Sequence, residues 1–289
     1  MSIKKIIIGT AQFGLKYGIG NSNEKVAAKS IEKILSFANN NGIDTLDTAP
    51  SYGDAEKILG RIGVSNWKVQ TKIKIDKNNE SKISENIKNQ IETSMNNLRI
   101  SNFYSLLLHD ENQLINEDKS EVYDCLLNLK KNGYINNFGV SFYNPDKLIE
   151  TSKNFKFDFA QVPMNVFDVR FINHLDQFHS RIKSFQARSI FLQGLLLLDK
   201  SERPIKFKKW DSNFCKFEEW NIKNKISPLE SCINFINNIN KVENIIFGIR
   251  NDIELSEILD IFRRDSDKFT KECFVDDQDL INPINWDRL

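Results

Sequence analysis

The fold this sequence predicts is an α/β class (β/α)8 TIM barrel, and three observations lead to it. Short β-rich apolar runs alternate eight times with helical patterns, without a break in composition. The chain has 289 residues, and a barrel of this kind takes about 250. An open doubly wound sheet would carry a GxGxxG turn after its first strand, a spacing that Gly9-Thr10-Ala11-Gln12-Phe13-Gly14 lacks. Residues 1–289 are therefore expected to form one barrel domain, with a long loop after strand seven and a C-terminal tail.

The elements follow in order. Ile6 to Gly9 reads as a buried strand, and Lys25 to Ala38 as an amphipathic helix stopped by Asn41-Gly42. Ile43 to Thr48 is the second strand, and a helix begins over Ala55 to Leu59. Lys68 to Ile73 is the third. The helix after it carries Ile83, Ile87, Ile91, Met95 and Leu98 at spacings of three and four. Phe103 to Leu108 is the fourth strand, and its helix spans Glu121 to Leu129 with Gly133 as cap. Asn137 to Ser141, Phe159 to Val162, Lys183 to Phe191 and Asn244 to Ile249 supply strands five to eight. Helical patterns lie over Pro145 to Thr151, Ile172 to Ile182, Leu229 to Ile239 and Asp252 to Phe262.

Two segments break the rhythm. Asp199 to Asn224 is an excursion after strand seven, rich in lysine and tryptophan, and is expected to be a partly ordered lid. Asp265 to Leu289 is the tail. The few residues before Ile6 leave room for at most a reduced N-terminal hairpin.

Composition narrows the function. With 40 basic and 39 acidic residues the net charge is +1, so no global field draws the chain to nucleic acid or an anionic membrane. The longest apolar runs fall far short of the ~20 residues that span a bilayer. Met1 to Lys5 leads straight into a strand pattern without a signal peptide. Cys125, Cys215, Cys232 and Cys273 are widely spaced and form no CxxC pair, so reduced thiols in a cytoplasmic protein are expected, without a metal site.

Four polar groups fall at or just beyond the C-terminal ends of successive strands: Asp47 and Tyr52, Lys72, and His109. Adjacent parallel strands lie about 4.8 Å apart, so all four can meet around one pocket. Each alone has an ordinary structural reading, and their convergence points to chemistry. A phenol is a poor acid at neutral pH, and a nearby ammonium favours its phenolate and is expected to lower its pKa. A carboxylate keeps that ammonium charged and oriented, and a neutral imidazole can hydrogen-bond a substrate oxygen.

The run from Asp47 to Gly60, together with Lys72 and His109, resembles the aldo-keto reductase superfamily. The family signature, Asp-Thr-Ala-x-x-Tyr-Gly-x-x-Glu-x-x-Leu-Gly, is matched throughout, and the similarity extends from about Ile7 to Leu259. The resemblance implies a (β/α)8 barrel that reduces aldehydes and ketones with NADPH and without metal. Tyr52 would be the general acid, Lys72 and Asp47 its tuning pair, and His109 the carbonyl-orienting group.

Cofactor positions carry over less evenly. Thr10 is assigned to the cofactor on the same resemblance. Ser141 and Gln161 match the residues that hold the nicotinamide carboxamide, but Phe142 replaces the Asn beside Ser141 and Met164 stands where many members have Tyr. Arg188 occupies the place of the aromatic residue that stacks on the nicotinamide ring, and a planar guanidinium can stack as well. Phe191 and Gln193 would lie near the pyrophosphate. Gly248-Ile249-Arg250-Asn251 resembles the phosphate-gripping turn, with Glu257 at the adenine and Ile258 in place of an expected Asn. Arg250 as partner of a 2′-phosphate favours NADP(H) over NAD(H).

The expected partner is a small-molecule carbonyl such as a sugar or small polar aldehyde, recognised by the loop from Phe13, the excursion and the tail. Gln12, Tyr17, Asp110 and Asn112 are candidate hydroxyl contacts. Two other readings fit some of these residues. One is a Schiff-base aldolase with Lys72 as nucleophile, which wants that lysine's pKa lowered. The other is an NADPH-binding regulatory subunit with little turnover.

Overall fold

The computed structural model describes residues 5–19, 24–75, 82–115, 119–178, 182–264, 266 and 268–289. Eight strands form a closed barrel in sequence order. They are β1 (Lys5–Gly9), β2 (Thr45–Asp47), β3 (Lys68–Ile73), β4 (Phe103–Leu108), β5 (Ile135–Ser141), β6 (Phe157–Pro163), β7 (Ile182–Arg188) and β8 (Val242–Gly248). Each pairs in parallel with its neighbours, and β1 closes against β8 with Ile8 opposite Phe247. Ten α-helices are seen among the described residues: α1 (Ala11–Gly14), α2 (Ala28–Asn40), α3 (Ala55–Ile62), α4 (Ile83–Leu98), α5 (Lys119–Lys131), α6 (Pro145–Asn154), α7 (Asp211–Asn224), α8 (Pro228–Asn237), α9 (Asp252–Arg263) and α10 (Gln278–Ile281). This is the predicted barrel.

Packing follows the sequence periods. In α2 the buried side chains are Ile31, Ile34, Leu35 and Ala38, and α4 buries Ile87, Ile91, Met95 and Leu98 on one face. Gly42 and Gly133 take positive φ where turns follow the helices, as predicted. In β6 every residue is buried, as expected of a strand covered on both sides.

Three expectations are corrected. The α-helix predicted from Ile172 to Ile182 is a 3-10 helix over Ile172–Phe178, and Ile182 already belongs to β7. Its buried residues, Leu175 and Phe178, stand three apart, the repeat of a 3-10 turn. The seventh strand stops at Arg188, because Ser189, Leu192 and Gln193 have positive φ and cannot continue it. The excursion is no partly ordered lid. It forms a 3-10 turn (Ile205–Trp210) running into α7, and it buries Phe207, Trp210, Phe214 and Phe217 at helical spacing. Those four aromatic residues are core, Trp220 is half-buried and the lysines lie outside them, so the basic and aromatic mix is an amphipathic segment seen in sequence. The reduced N-terminal hairpin falls on residues outside the described ones. Among the described residues no helix is long and apolar enough to cross a membrane, and no cluster of His, Cys, Asp and Glu is fit for a metal ion.

Candidate active site

The C-terminal ends of the strands share one rim, the face on which barrel enzymes carry their sites. Asp47 closes β2, Lys72 stands one residue before the end of β3, and His109 follows β4 directly. Tyr52 sits in the turn between β2 and α3. Its loop is pressed against α1, where a Cβ on Gly14 would lie 1.7 Å from the Tyr52 carbonyl oxygen. Only glycine permits that approach. The signature's Glu56 and Gly60 have structural work. Glu56 accepts from the Thr71 hydroxyl at 2.8 Å, tying α3 to β3. A Cβ on Gly60 would collide with the Asn97 carbonyl at 2.0 Å, so α3 and α4 could not pack as closely.

Asp47, Lys72 and Tyr52 form a hydrogen-bonded chain. The Lys72 ammonium donates to Asp47 Oδ2 at 2.5 Å, to the Tyr52 hydroxyl at 3.1 Å and to the Thr48 carbonyl at 3.4 Å. Lys72 is 2% exposed and Asp47 3%. Burial works against the ammonium, but Asp47 and Tyr52 outweigh it and its pKa is raised. That is the reverse of what a Schiff-base lysine needs.

Tyr52 departs from expectation. Burial raises its phenol, and although Lys72 pulls the other way, the pKa stands above the ordinary tyrosine value. The phenol therefore holds its proton at neutral pH. The ammonium instead stands ready to stabilise the phenolate once that proton leaves.

His109 packs edge-on to Tyr52 with ring centroids 6.3 Å apart, and Ser51 Oγ lies 3.5 Å from its Nδ1. Burial, then Lys72 and Arg188, hold its pKa down at about 4. The imidazole is neutral at physiological pH, as its predicted role requires. The structure thus brings all four strand-end residues together.

Beside them opens a cavity of about 1110 Å³, lined among others by His109, Asp110, Asn112, Tyr143, Arg170 and Phe274. Asp110 and Asn112 are where the sequence reading expected them, although the Asp110 carboxylate also accepts from Asn112 N and Nδ2, each at 2.9 Å. Gln12 is elsewhere: its amide lies against Gly248, with Oε1 buried and unpartnered among the described residues. The tail lines the cavity through residues from Phe274 to Ile284, whereas none of the excursion's residues does. The excursion acts as a buttress. Trp210 Nε1 donates to Asp277 Oδ2 at 3.0 Å and Lys206 Nζ to the Trp286 carbonyl at 2.8 Å. Arg170 secures the tail from the other side, holding Asp168 with a fork of two bonds and Gln278 Oε1 at 2.8 Å.

The predicted cofactor residues ring the same rim. Ser141 ends β5 and is buried, while Thr10 donates its hydroxyl to the Asp47 carbonyl at 3.0 Å and so braces β1 to β2. The Arg188 guanidinium stacks on Tyr143, 4.1 Å from the ring centroid, and donates to the Phe142 carbonyl at 3.2 Å. A guanidinium has two faces, so this stacking is compatible with a second ring. Phe191 packs on Phe247 with centroids 5.6 Å apart, and the Gln193 carbonyl accepts from Ile19 N at 2.8 Å, joining the loops after β7 and β1. Gly248 and Arg250 lead into α9, whose start is capped by Asn251. The Arg250 backbone N–H donates to Glu254 at 2.8 Å. Glu257 is exposed on α9, and Ile258 is core, which accounts for an apolar residue there.

These features fit a nicotinamide dinucleotide. The orphaned Gln12 Oε1 beside the exposed Gly248 and the buried, unpartnered Arg188 Nε are polar atoms on the rim without partners among the described residues.

Sequence reading missed two residues that the structure brings under Asp47, Gln70 and Gln186. The signal was available. Each is an uncharged amide within a predicted strand, and Gln70 stands two positions before Lys72, on the same strand face.

Comparison with known proteins agrees with this geometry. The model of a family described as the aldo/keto reductase family matches residues 5–273. Among solved structures, a putative aldo-keto reductase from Pseudomonas aeruginosa superposes with a TM-score of 0.67 at 18% identity, covering 92% of each chain. A glycerol dehydrogenase from Gluconobacter oxydans gives 0.62 at 20% identity, over 91% of this chain and 92% of that one. The holo form of an aldo-keto reductase from Bacillus halodurans gives 0.69 at 15%, over 94% and 95%. At these identities the structures speak for the fold alone. The search of curated proteins found no significant match.

Proposed function

The chain belongs to the aldo/keto reductase family, an oxidoreductase family, and we propose that it reduces an aldehyde or ketone to the alcohol with NADPH, using Tyr52 as proton donor. The observation that carries this reading is the chain Asp47–Lys72–Tyr52, with bonds of 2.5 and 3.1 Å. NADPH, when bound, supplies the hydride to the carbonyl carbon. Ser141, Gln161 and Arg188 would hold its nicotinamide, Phe191, Gln193 and Gly248 its pyrophosphate, and Arg250 and Glu257 its adenosine end, with Thr10 beside them.

The chain's own residues manage the proton. Tyr52 donates its hydroxyl proton to the carbonyl oxygen as negative charge develops there, and Lys72 stabilises the phenolate left behind. Asp47 keeps Lys72 charged and aimed. His109, neutral, donates a hydrogen bond to the same oxygen and fixes its direction. The polar cavity beside His109 supports a polar carbonyl substrate such as a sugar. A cytoplasmic location belongs to the same reading.

The test is cofactor oxidation with NADPH and NADH against a panel of aldehydes and sugars, with Tyr52→Phe beside the wild type. Turnover should fall by at least about 100-fold while cofactor binding is kept. An active Tyr52→Phe would remove the proton-donor assignment. Cofactor binding by the wild type without oxidation on any carbonyl would favour the regulatory reading.

A further inference from the structure

Under the catalytic rim three glutamine side chains close a buried network around Asp47. Gln70 of β3 donates to Asp47 Oδ1 at 2.6 Å, and Gln161 of β6 donates to the same oxygen at 3.0 Å. Gln186 of β7 holds both: its Oε1 accepts from Gln70 at 3.1 Å and from Gln161 at 3.3 Å, and its Nε2 donates to Gln70 Oε1 at 3.1 Å. All three are buried, Gln70 completely.

The amide orientations follow from chemistry. An ionised carboxylate only accepts, so Gln70 and Gln161 must both turn their NH2 groups toward Asp47. Gln186 must then offer its carbonyl to those same groups and its NH2 to Gln70. The register of β7 on β8 shifts between Phe185 and Gln186, where Phe185 faces Val242 and Gln186 faces Asn244. Such irregularities re-aim side chains beside active sites. Apolar residues would fill this layer of the barrel without any amides to satisfy, so packing alone does not require them.

We propose that Gln70 and Gln186 are positioning residues: they clamp Asp47 from below, so that Lys72 stays shared between Asp47 and Tyr52, and they fix the Gln161 amide with its NH2 turned inward. With its NH2 committed to Asp47 and Gln186, Gln161 has its carbonyl for a ligand. No hydrogen bond to that oxygen is made among the described residues. Without Gln70, Asp47 Oδ1 loses its shortest bond. The carboxylate then draws Lys72 toward itself and away from the Tyr52 hydroxyl.

The inference rests on the reduction proposed above, and two readouts separate their failures. The first is steady-state reduction by Gln70→Met, Gln186→Met and the double variant, each checked for native circular dichroism and for cofactor Kd. The second is the titration of Tyr52 in the cofactor-free protein, followed by NMR of carbon-13-labelled tyrosine and assigned with Tyr52→Phe. It needs no turnover. The groups facing that phenol are Lys72, Asp47, Tyr143, Tyr17 and His109, and all are unchanged in these variants. For Gln70→Met the expected result is a kcat lower by about tenfold or more, a cofactor Kd within about twofold and a phenol that titrates at higher pH than in the wild type. Gln186→Met should move both readouts the same way but less, and the double variant should fall further than Gln70→Met, because Gln186 also holds Gln161, the donor to Asp47 that remains. A folded Gln70→Met with unchanged kcat and unchanged phenol titration would overturn the proposal and leave the amides as packing. Should Gln70→Met not fold, the same criteria apply to Gln186→Met. If the wild type reduces no carbonyl, the functional reading falls, and the phenol titration alone decides for or against the clamp.

Discussion

Replacing Lys72 by methionine removes a charge and keeps most of the volume, and the structure sets the size of the consequence. The ammonium has three acceptors, at 2.5, 3.1 and 3.4 Å, and Asp47 beside it is 3% exposed. In Lys72→Met that carboxylate stays buried with only the donors of Gln70 and Gln161. Removing one partner of a buried ion pair costs about 3–5 kcal/mol. Two donors remain on Asp47, and charge-assisted bonds of this kind contribute about 1.5–3 kcal/mol each, so the loss should fall near 3 kcal/mol, the lower end of that range. The protein would still fold, since domains are stable by about 5–15 kcal/mol. Adding Asp47→Asn removes the stranded charge and should return at least about 1.5 kcal/mol, a coupling that contacting residues commonly show. Urea unfolding of the four proteins in the cycle, with slopes compared, measures this. Cofactor oxidation by Lys72→Met should drop by about 100- to 1000-fold, the usual loss when a charge stabiliser is deleted. A Lys72→Met protein as stable as wild type, or a double variant that merely sums the single losses, would refute the view that these two charges depend on each other.

Three further outcomes follow from the same geometry. Because His109 is held down at about 4 against its ordinary 6.5, the folded state binds fewer protons than the unfolded state between those values. Its contribution is present above pH 6.5 and lost as pH falls toward 4, at up to about 1.4 kcal/mol per pH unit. His109→Gln should therefore show a shallower loss of urea stability than wild type between pH 6.5 and 5, and equal slopes would refute the shift. Arg250→Ala should raise the Kd for NADPH by about tenfold and that for NADH by less than about threefold, measured by quenching of tryptophan fluorescence; equal effects would remove the 2′-phosphate assignment. Trp210→Phe, which deletes the bond to Asp277, should loosen the tail and raise KM for the carbonyl about fivefold, the equivalent of one hydrogen bond of about 1 kcal/mol. An unchanged KM would mean that the tail is held without it.

The barrel was legible because its signals are local. Strand β3 and helix α4 run over the residues predicted for them, since an apolar period and a clean boundary coincide there. The segments that misled were those whose structure depends on neighbours. Lysine and tryptophan in the excursion look like a charged surface loop until Phe207, Trp210, Phe214 and Phe217 are seen to share one buried face. The segment from Ile172 carries helical spacing, yet only Leu175 and Phe178 are buried, which a short 3-10 helix satisfies. Nothing in the local pattern shows that the end of β7 turns through four residues of positive φ, Ser189, Leu192, Gln193 and Gly194.

The site shows the same division, with a chemical consequence. Residue types at strand ends were enough to bring Asp47, Tyr52, Lys72 and His109 together, because a parallel barrel sends every strand end to one rim. The direction of the Tyr52 shift was not accessible that way. An ammonium beside a phenol predicts a lowered pKa, but burial acts on the same group with opposite sign and is the larger effect. The balance depends on what surrounds the hydroxyl in three dimensions. On the proposed reaction the outcome favours the acid role: a phenol raised by burial arrives with its proton. The opposing pull of Lys72 then takes effect mainly after transfer, when there is a phenolate to stabilise. An ammonium can serve in that way only if it stays charged inside a barrel, and Asp47 keeps it so, itself held by Gln70 and Gln161. The polar centre is therefore one chain of dependence from Gln186 up to the Tyr52 hydroxyl, and its lowest links are residues that no motif marks.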